Sequence, residues 1–279
     1  MCDCHPTNCI PSRPDTLLTR RDLLGGAAAA ATLTSLLVGR VAAGDSPHRI
    51  LPPRPAVAAT PDAVEVLPGL WIRPREAWGA DLPPKGPIVA EDARFLLVHH
   101  TASASNYSSA RQVIRNVYSF QTGAAKGWND VCYQFFIGRD GDVWEGRAGA
   151  LAGPVMADAT GGSQGFAQLI CLLGDFSRQP PTQAALDSLI KVLAWLSGRY
   201  AIDIATGSAA TFVSRGSQRW SAGTNITTPP IAGHRDMSYT ECPGSALYDL
   251  LPIIRLQAID QREAWRSTMK PARRLGVSS

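Results

Sequence analysis

The sequence is poor in histidine and lacks long runs of basic residues. It contains five histidines and six cysteines among 279 residues, and its formal net charge is only +4. So small an excess of positive charge, with basic clustering confined to Lys270, Arg273 and Arg274, does not suggest a nucleic-acid-binding protein. The scarcity of histidine also means that a metal site has few nitrogen ligands from which to draw.

The first 43 residues differ in composition from the rest of the chain. Arg20 and Arg21 precede an apolar run of small residues at 23–39, which a Val-Ala-Ala sequence closes at Ala43. This pattern is typical of a twin-arginine export signal that is cleaved after Ala43. The alternative is a transmembrane anchor, because the run approaches the length that spans a bilayer. Its alanine and glycine content makes it only weakly apolar, which favours cleavage.

Export fixes the expected location of the protein and removes some of its candidate ligands. We expect a periplasmic, cell-wall-associated or extracellular protein with no stable membrane anchor once the signal is cleaved. No cysteine follows the apolar run at the cleavage zone, so the sequence gives no support for lipid attachment there. The cysteines and the histidine at the extreme N-terminus would be discarded with the signal; they are Cys2, Cys4, His5 and Cys9.

The remaining chain divides by composition into three parts. Residues 44–69 are rich in proline and are interpreted as a linker or extended arm. Residues 70–255 have the size of one domain with a hydrophobic core. Residues 256–279 are interpreted as a tail that is first helical and then basic. Within 70–255, short apolar runs alternate with amphipathic segments. This alternation predicts a single layered α/β domain.

Local patterns predict the individual elements. Residues 95–98 form an apolar run typical of a buried strand, and apolar residues from Ala110 to Tyr118 fall at helical spacing. Further strands are predicted at 131–137 and 168–173, a hairpin turn at 139–142, a helix capped by Thr182, and a last helix after Pro243 with an interruption near Pro252. Residues 148–164 and 201–230 are predicted to be surface loops beside a cleft.

The histidines that remain after cleavage constrain a metal site closely. They are His48, which lies in the predicted linker, and His99, His100 and His234. Adjacent residues of a strand point to opposite faces, so only one of His99 and His100 can join His234 and Cys242. Two nitrogen ligands and one thiolate leave a fourth tetrahedral position for water, which distinguishes a hydrolytic zinc site from a closed structural one.

Five sequence blocks in a fixed order carry a resemblance to a known family. They are Arg-Pro-Arg-Glu-Ala-Trp-Gly-Ala at 73–80, Val-His-His-Thr-Ala at 98–102, Gly-Trp-Asn-Asp-Val-Cys-Tyr-Gln-Phe at 127–135, Arg-Asp-Gly and Glu-Gly-Arg within 139–147, and Gly-His-Arg-Asp with Cys-Pro-Gly within 233–244. The chain resembles the zinc N-acetylmuramoyl-L-alanine amidases (amidase type 2), which share a domain with the peptidoglycan recognition proteins and the phage lysozyme-type amidases. The resemblance implies a central mixed β-sheet flanked by helices.

The resemblance also implies roles for particular residues. His99, His234 and Cys242 would bind Zn²⁺, and His100 would pack on the opposite face of its strand. The hydroxyl of Tyr133 would position the reacting water or the tetrahedral intermediate, and it is our candidate proton donor to the leaving amine. Thr240 stands where relatives have Lys or Thr pointing at the reacting carbonyl.

The implied function is zinc-assisted hydrolysis of peptidoglycan or muropeptides. A zinc-activated water would cleave the amide between N-acetylmuramic acid and L-alanine of the stem peptide. Arg147 could pair with a stem-peptide carboxylate, while Trp128 and Asn129 could line the groove. Alternatively, Trp128 belongs to the core and Arg147 to a surface ion pair. We expect a monomer.

Two departures from the family and two alternative functions remain open at this stage. Residues 148–164 lack the histidine that many relatives carry after the Glu-Gly-Arg sequence. Cys132 replaces the usual glycine, and with Cys171 it could form a disulfide, although two buried free thiols are an equal alternative. The chain could also be a non-catalytic peptidoglycan-binding module, although such relatives typically lack the cysteine ligand, or a zinc hydrolase of the same fold that cleaves another amide.

Overall fold

The computed structural model describes residues 63–158 and 160–269. Its largest element is a mixed β-sheet of seven strands. The strands are β1 (Val64–Leu67), β2 (Leu70–Arg73), β3 (Phe95–His100), β4 (Phe135–Ile137), β5 (Val143–Glu145), β6 (Ala167–Leu172), β7 (Ala210–Val213), β8 (Asn225–Thr228) and β9 (Ile231–Gly233). The helices are α1 (Glu76–Gly79), α2 (Ala110–Gln121), α3 (Gln183–Arg199), α4 (His234–Met237), α5 (Ser245–Tyr248) and α6 (Leu251–Met269). The predicted export signal, most of the predicted linker and the basic cluster at 270–274 lie outside the described residues.

The strand order of the large sheet is β1-β2-β5-β4-β6-β3-β9. Strand β3 lies parallel to both β6 and β9, and β4 is parallel to β6. The pairs β1–β2 and β4–β5 are antiparallel, while β2–β5 is parallel. Strands β7 and β8 form a separate antiparallel hairpin. The predicted α/β domain with a central mixed sheet is therefore confirmed.

The two faces of the sheet pack against different helices. Leu96 and Val98 share one hydrophobic cluster with Leu189 and Leu193 of α3 and with Ile254 of α6. Phe95 and Leu97, which alternate with these residues along β3, belong to a second hydrophobic cluster. Ile114 and Val117 of α2 belong to the same cluster. Because both faces of the sheet are covered, every residue of β3 and β6 is buried, and most of these residues are apolar. Among the described residues, no helix has the length and apolarity needed to cross a membrane.

The helix ends agree with the local signals in the sequence. The Thr182 hydroxyl accepts a hydrogen bond from the amide of Ala185 at 3.2 Å, so Thr182 is the predicted N-cap of α3. Ser109 caps α2 in the same way through the amide of Gln112. The predicted interruption near Pro252 is confirmed, because the helical stretch after Pro243 breaks at residues 249–250, between α5 and α6. Pro252 itself lies in the first turn of α6, where its missing N–H has no intrahelical partner to lose.

Four further element predictions are wrong in their extent. Only Phe135–Ile137 of the predicted strand 131–137 is a strand, and the amides of Val131 and Cys132 donate to side chains instead. The predicted loop 201–230 contains the β7–β8 hairpin. Val64–Leu67, which we assigned to the linker, pairs with β2 as the edge strand β1. Helix α6 also continues through the predicted boundary at residue 255.

Glu91 places a buried carboxyl group beside β6. Its Oε1 accepts a hydrogen bond from Nε2 of Gln168 at 2.5 Å, whereas its Oε2 is buried without a hydrogen-bond partner among the described residues. Burial raises the pKa of Glu91 from an ordinary 4.5 to about 8, against the opposing effect of the Gln168 hydrogen bond. The folded protein therefore retains a proton that the unfolded chain releases at a much lower pH.

We expect Glu91→Gln to stabilise the protein at alkaline pH. The contribution of Glu91 to stability is fully present below pH 4.5 and is lost as pH rises to about 8, because only the folded state holds the proton in this range. The amide mimics the protonated acid, so the variant should gain roughly 2 to 4 kcal/mol at pH 8.5 and little at pH 5. Urea unfolding across this range measures the effect. The exposed Glu263→Gln is the control, and parallel stability profiles for wild type and Glu91→Gln would contradict the expectation.

Candidate metal centre

Three predicted ligands meet at one edge of the sheet. His99 lies near the end of β3, and His234 begins α4 directly after β9. Since β3 and β9 are adjacent and parallel, their carboxyl ends meet, and the loop after α4 brings Cys242 to the same place. One ligand atom from each of the three residues lies within 4.8 Å of the other two, and all three residues are buried.

The geometry and protonation of these residues fit a zinc ion. Sγ of Cys242 lies 3.5 Å from Nδ1 of His99, and the rings of His99 and His234 are 4.4 Å apart between centroids. Burial, followed by the nearby His234 and His100, lowers the pKa of His99 well below its ordinary value. A neutral imidazole is the form that binds metal. Two nitrogens and one sulfur are also the ligand types that zinc takes in proteins.

His100 does not join this cluster. Its Nδ1 accepts a hydrogen bond from the amide of Phe176 at 3.2 Å, on the face of the sheet opposite to His99. The backbone amide of His100 does contribute to the centre, because it donates to Sγ of Cys242 at 3.4 Å. An N–H donor of this kind stabilises the charged form of a thiol. The structure thus separates the two adjacent histidines as the strand alternation requires.

The loop that carries Cys242 is fixed by short-range hydrogen bonds. The Thr240 hydroxyl accepts from the amide of Cys242 at 3.2 Å, and the carbonyl of Cys242 accepts from the amide of Arg235 at 2.9 Å. Asp236 accepts from the amide of Gly233 and from the hydroxyl of Tyr248. Thr240 is therefore bonded to the backbone of a ligand residue, in addition to the role that the resemblance implies.

Tyr133 lies beside the cluster. It is 5% exposed, and its ring centroid is 5.2 Å from that of His99. Phe136 contacts the ring edge-on, with centroids 5.4 Å apart. The structure thus brings Tyr133 together with His99, as a catalytic role would require.

The three predicted substrate-binding residues differ in accessibility. Trp128 is 7% exposed and packs in the cluster beneath α2, which matches the alternative that it is a core residue. Asn129 is half-buried, and its amide closely contacts Gly86. Arg147 forms an ion pair with Asp158 at 2.5 Å, with side chains only 8% and 18% exposed. The alternative of a surface ion pair is therefore wrong for Arg147, because its pair is largely buried.

A family match accompanies this geometry. Residues 90–245, more than half of the chain, match the profile of a family described as N-acetylmuramoyl-L-alanine amidase. The chain belongs to this amidase family. It is 29% identical over 184 residues to peptidoglycan recognition protein 1 of Rattus norvegicus, covering 65% of this chain and 85% of the rat protein.

Two more relatives of this amidase-family chain define the limits of the comparison. An N-acetylmuramoyl-L-alanine amidase of Homo sapiens is 29% identical over 204 residues, which cover 70% of this chain but only 30% of the human protein. The crystal structure of Drosophila peptidoglycan recognition protein SD superimposes with a TM-score of 0.50 at 24% identity, covering 65% of this chain and 93% of that one. The latter likeness supports the fold alone. The family supports peptidoglycan amidase or peptidoglycan-binding activity.

The two other cysteines among the described residues, Cys132 and Cys171, are buried thiols outside any disulfide. The disulfide that we considered between Cys132 and Cys171 is wrong, and the alternative of two buried thiols is confirmed. Nε2 of Gln121 donates to Sγ of Cys132 at 3.2 Å, and Sγ of Cys171 donates to the carbonyl of Leu172. Burial raises the pKa of the Cys132 thiol far above its ordinary range, so the thiol is unreactive at neutral pH.

A buried charge network that was not predicted from the sequence joins three of the five family blocks. Arg75 is 7% exposed and forms an ion pair with Asp130 at 2.8 Å. Glu145 accepts hydrogen bonds from the amides of Arg75 and Leu151. Burial raises the pKa of Glu145 above its ordinary range. The signal available in the sequence was charged residues inside otherwise apolar blocks, since charges are buried only when paired.

Proposed function

We propose that the protein is a secreted zinc-dependent peptidoglycan hydrolase that cleaves the amide between N-acetylmuramic acid and L-alanine of the stem peptide. The observation that carries the proposal is the buried cluster of His99, His234 and Cys242, with ligand atoms within 4.8 Å of one another. Membership of the amidase family supports the same reaction. The cluster supplies three ligands, as a catalytic zinc site does.

Each residue of the centre has a distinct task in this proposal. When bound, the ion supplies a Lewis acid and a hydroxide nucleophile at neutral pH. His99, His234 and Cys242 hold it, and the amide of His100 supports the Cys242 thiolate. Tyr133 positions the reacting water or the tetrahedral intermediate and transfers a proton to the leaving amine. The Thr240 hydroxyl fixes the backbone of Cys242, and the side chain would point at the reacting carbonyl, as the family resemblance implies.

Substrate binding rests on a smaller set of groups. Asn129 is the most accessible of the three predicted contacts. Arg147 is already paired with Asp158, so it would bind a stem-peptide carboxylate by exchanging one carboxylate for another. Trp128 would act from within the core by supporting Asn129. We propose a monomer that binds peptidoglycan or muropeptides through this surface.

We also propose export by the twin-arginine route. The support is the sequence of residues 1–43, in which paired arginines precede a weakly apolar run and a small-residue cleavage sequence. Cleavage after Ala43 would release the protein to the periplasm, the cell wall or the medium. N-terminal sequencing of the exported protein tests this proposal independently of the enzymatic one.

A non-catalytic peptidoglycan-binding module is the second candidate function. It is favoured by the similarity to a recognition protein, and the presence of Cys242 in the buried cluster counts against it. The two candidates differ in one observable. A binding module would retain peptidoglycan fragments without releasing peptides from them.

We expect one zinc per purified chain and chelator-sensitive release of stem peptides from peptidoglycan fragments. The released peptides should carry a new L-alanine amino terminus, because the proposed bond joins L-alanine to the lactyl group. Metal analysis and mass spectrometry, with and without chelator, measure both quantities. Zinc without cleavage would indicate the binding module or another amide substrate. A metal-free protein after refolding in excess zinc would contradict the metal centre itself.

A further inference from the structure

The carboxylate of Asp130 is saturated with buried donors. Asp130 is 2% exposed. Its Oδ1 accepts from the amide of Val131 at 2.8 Å and from Nη2 of Arg75 at 2.8 Å, and its Oδ2 accepts from the amide of Ala148 at 2.9 Å. A buried carboxylate this well satisfied fixes the groups around it, because any displacement would leave a charge without partners.

Arg75 extends the same network to two further backbone groups. Its Nη1 donates to the carbonyl of Gly146 at 2.5 Å, and its Nη2 also donates to the carbonyl of Leu82 at 2.8 Å. The guanidinium lies over the ring of Trp78, 4.5 Å from its centroid. The rigid fork of arginine thus locks Asp130 relative to the chain around Gly146.

The two segments that Asp130 connects both contact Tyr133. Residues 131–134 lie outside strand β4, but backbone hydrogen bonds extend to them, and the amide of Gln134 donates to the carbonyl of Leu169 at 3.1 Å. The amide of Arg147 donates to the carbonyl of Tyr133 at 2.9 Å, and the amide of Gly146 donates to the carbonyl of Gln134 at 2.8 Å. Gly146 approaches the Tyr133 carbonyl so closely that no side chain fits there. Residues 146–148 therefore contact the backbone of Tyr133 directly and help to fix its position.

We propose that Asp130 is a positioning residue for Tyr133: together with Arg75 it clamps residues 131–134 against 146–148 and so holds the Tyr133 ring beside His99. The ring of Tyr133 lies 5.2 Å from that of His99, whereas Asp130 bonds only to Arg75 and to backbone amides in the contacts above. This inference rests on the proposed function, because it assigns Asp130 a role through the catalytic tyrosine.

The test is a double-mutant cycle between Asp130→Asn and Tyr133→Phe. Alone, Asp130→Asn should lower kcat by about 10-fold or more, with KM within about twofold and zinc content unchanged, because proton transfer depends on the placement of the hydroxyl. In the Tyr133→Phe background, the same change should have little further effect on kcat. An equal loss of kcat in both backgrounds would overturn the proposal.

Two additional variants separate positioning from general destabilisation. Glu91→Gln makes the same acid-to-amide change at a buried carboxyl outside the clamp, and it should leave kcat at pH 7 unchanged. If Asp130→Asn does not fold, Arg75→Lys replaces it in the cycle. Lysine keeps the charge but loses the forked donors to Asp130, Gly146 and Leu82. The same dependence on the Tyr133 background is expected.

A spectroscopic measurement distinguishes failure of this proposal from failure of the proposed function. In protein labelled with 3-fluorotyrosine, Tyr133→Phe identifies the ¹⁹F resonance of Tyr133. Asp130→Asn should shift or broaden that resonance while the resonance of Tyr107 stays unchanged. This readout needs no amidase activity. An unmoved Tyr133 resonance would overturn the positioning role even in a fully active enzyme.

Discussion

Cys242→Ser is expected to abolish hydrolysis and to reduce zinc content from one per chain to nearly none. Sγ of Cys242 lies 3.5 Å from Nδ1 of His99 and accepts a hydrogen bond from the amide of His100, so the thiol is central to the cluster. Loss of residues that only support metal ligands typically costs 10–100-fold in affinity or activity. Removal of a metal ligand itself should lower activity by more than this, and we expect kcat/KM to fall at least ~100-fold.

The same change at Cys171 is the matched control. Cys171 is buried and pairs in register with His99 across β3 and β6, but it is not one of the three clustered residues. Cys171→Ser should retain zinc and most of the activity, with some loss of thermal stability. Hydrolysis by metal-stripped Cys242→Ser at the wild-type rate would refute a mechanism based on this cluster. Circular dichroism would establish that both variants remain folded.

Tyr133→Phe should lower kcat by about 100-fold while zinc content and KM stay near wild type. The substitution removes only the hydroxyl and keeps the ring that packs against His99 and Phe136. General acid–base groups typically contribute 10²–10⁴-fold, which sets the expected size of the loss. Steady-state kinetics with a defined muropeptide, together with metal analysis, measure the three quantities.

Tyr118→Phe provides the comparison for Tyr133→Phe. Tyr118 is equally buried at 5% exposure, its hydroxyl donates to the carbonyl of Pro83 at 2.7 Å, and it is not one of the three clustered candidate ligands. Its loss should cost about 1 kcal/mol of stability and leave kcat unchanged. If Tyr133→Phe had the same kinetic profile as Tyr118→Phe, Tyr133 would have no part in the reaction.

The metal cluster was predictable because residue patterns limited the candidates and the family resemblance then selected among them. An apolar run ending in His99 and His100 indicates a buried strand, and strand alternation allows only one of these adjacent histidines to join a metal site. The resemblance implies that His99, His234 and Cys242 are the ligands. The ordered sequence blocks then predicted the mixed sheet, because they specify a family fold rather than a single element.

The clamp around Tyr133 was not predictable from periodicity. Residues 131–134 have the apolar content of a strand, but the side chains of Asp130 and Gln121 accept hydrogen bonds from the amides of Val131 and Cys132. The side chain of Gln134 accepts from the amide of Leu169. Such bonds join residues far apart in sequence, as Arg75 and Asp130 do, and leave no local pattern. The burial of the Arg147–Asp158 pair was missed for a different reason. These two residues are close in sequence, but sequence proximity does not show whether an ion pair is exposed or buried.

The edge position of β9 gives the metal centre a further property. His99 and Cys242 are 143 positions apart, and the sheet reaches its last strand only when Ile231–Gly233 has paired with β3. A chain that stops short of this pairing has His99 in place but no second or third ligand. Metal bound at this centre would therefore raise the free energy of unfolding only of a fold in which β9 has paired with β3. In the proposed mechanism, a chain that has not yet placed His234 and Cys242 beside His99 would have no activity.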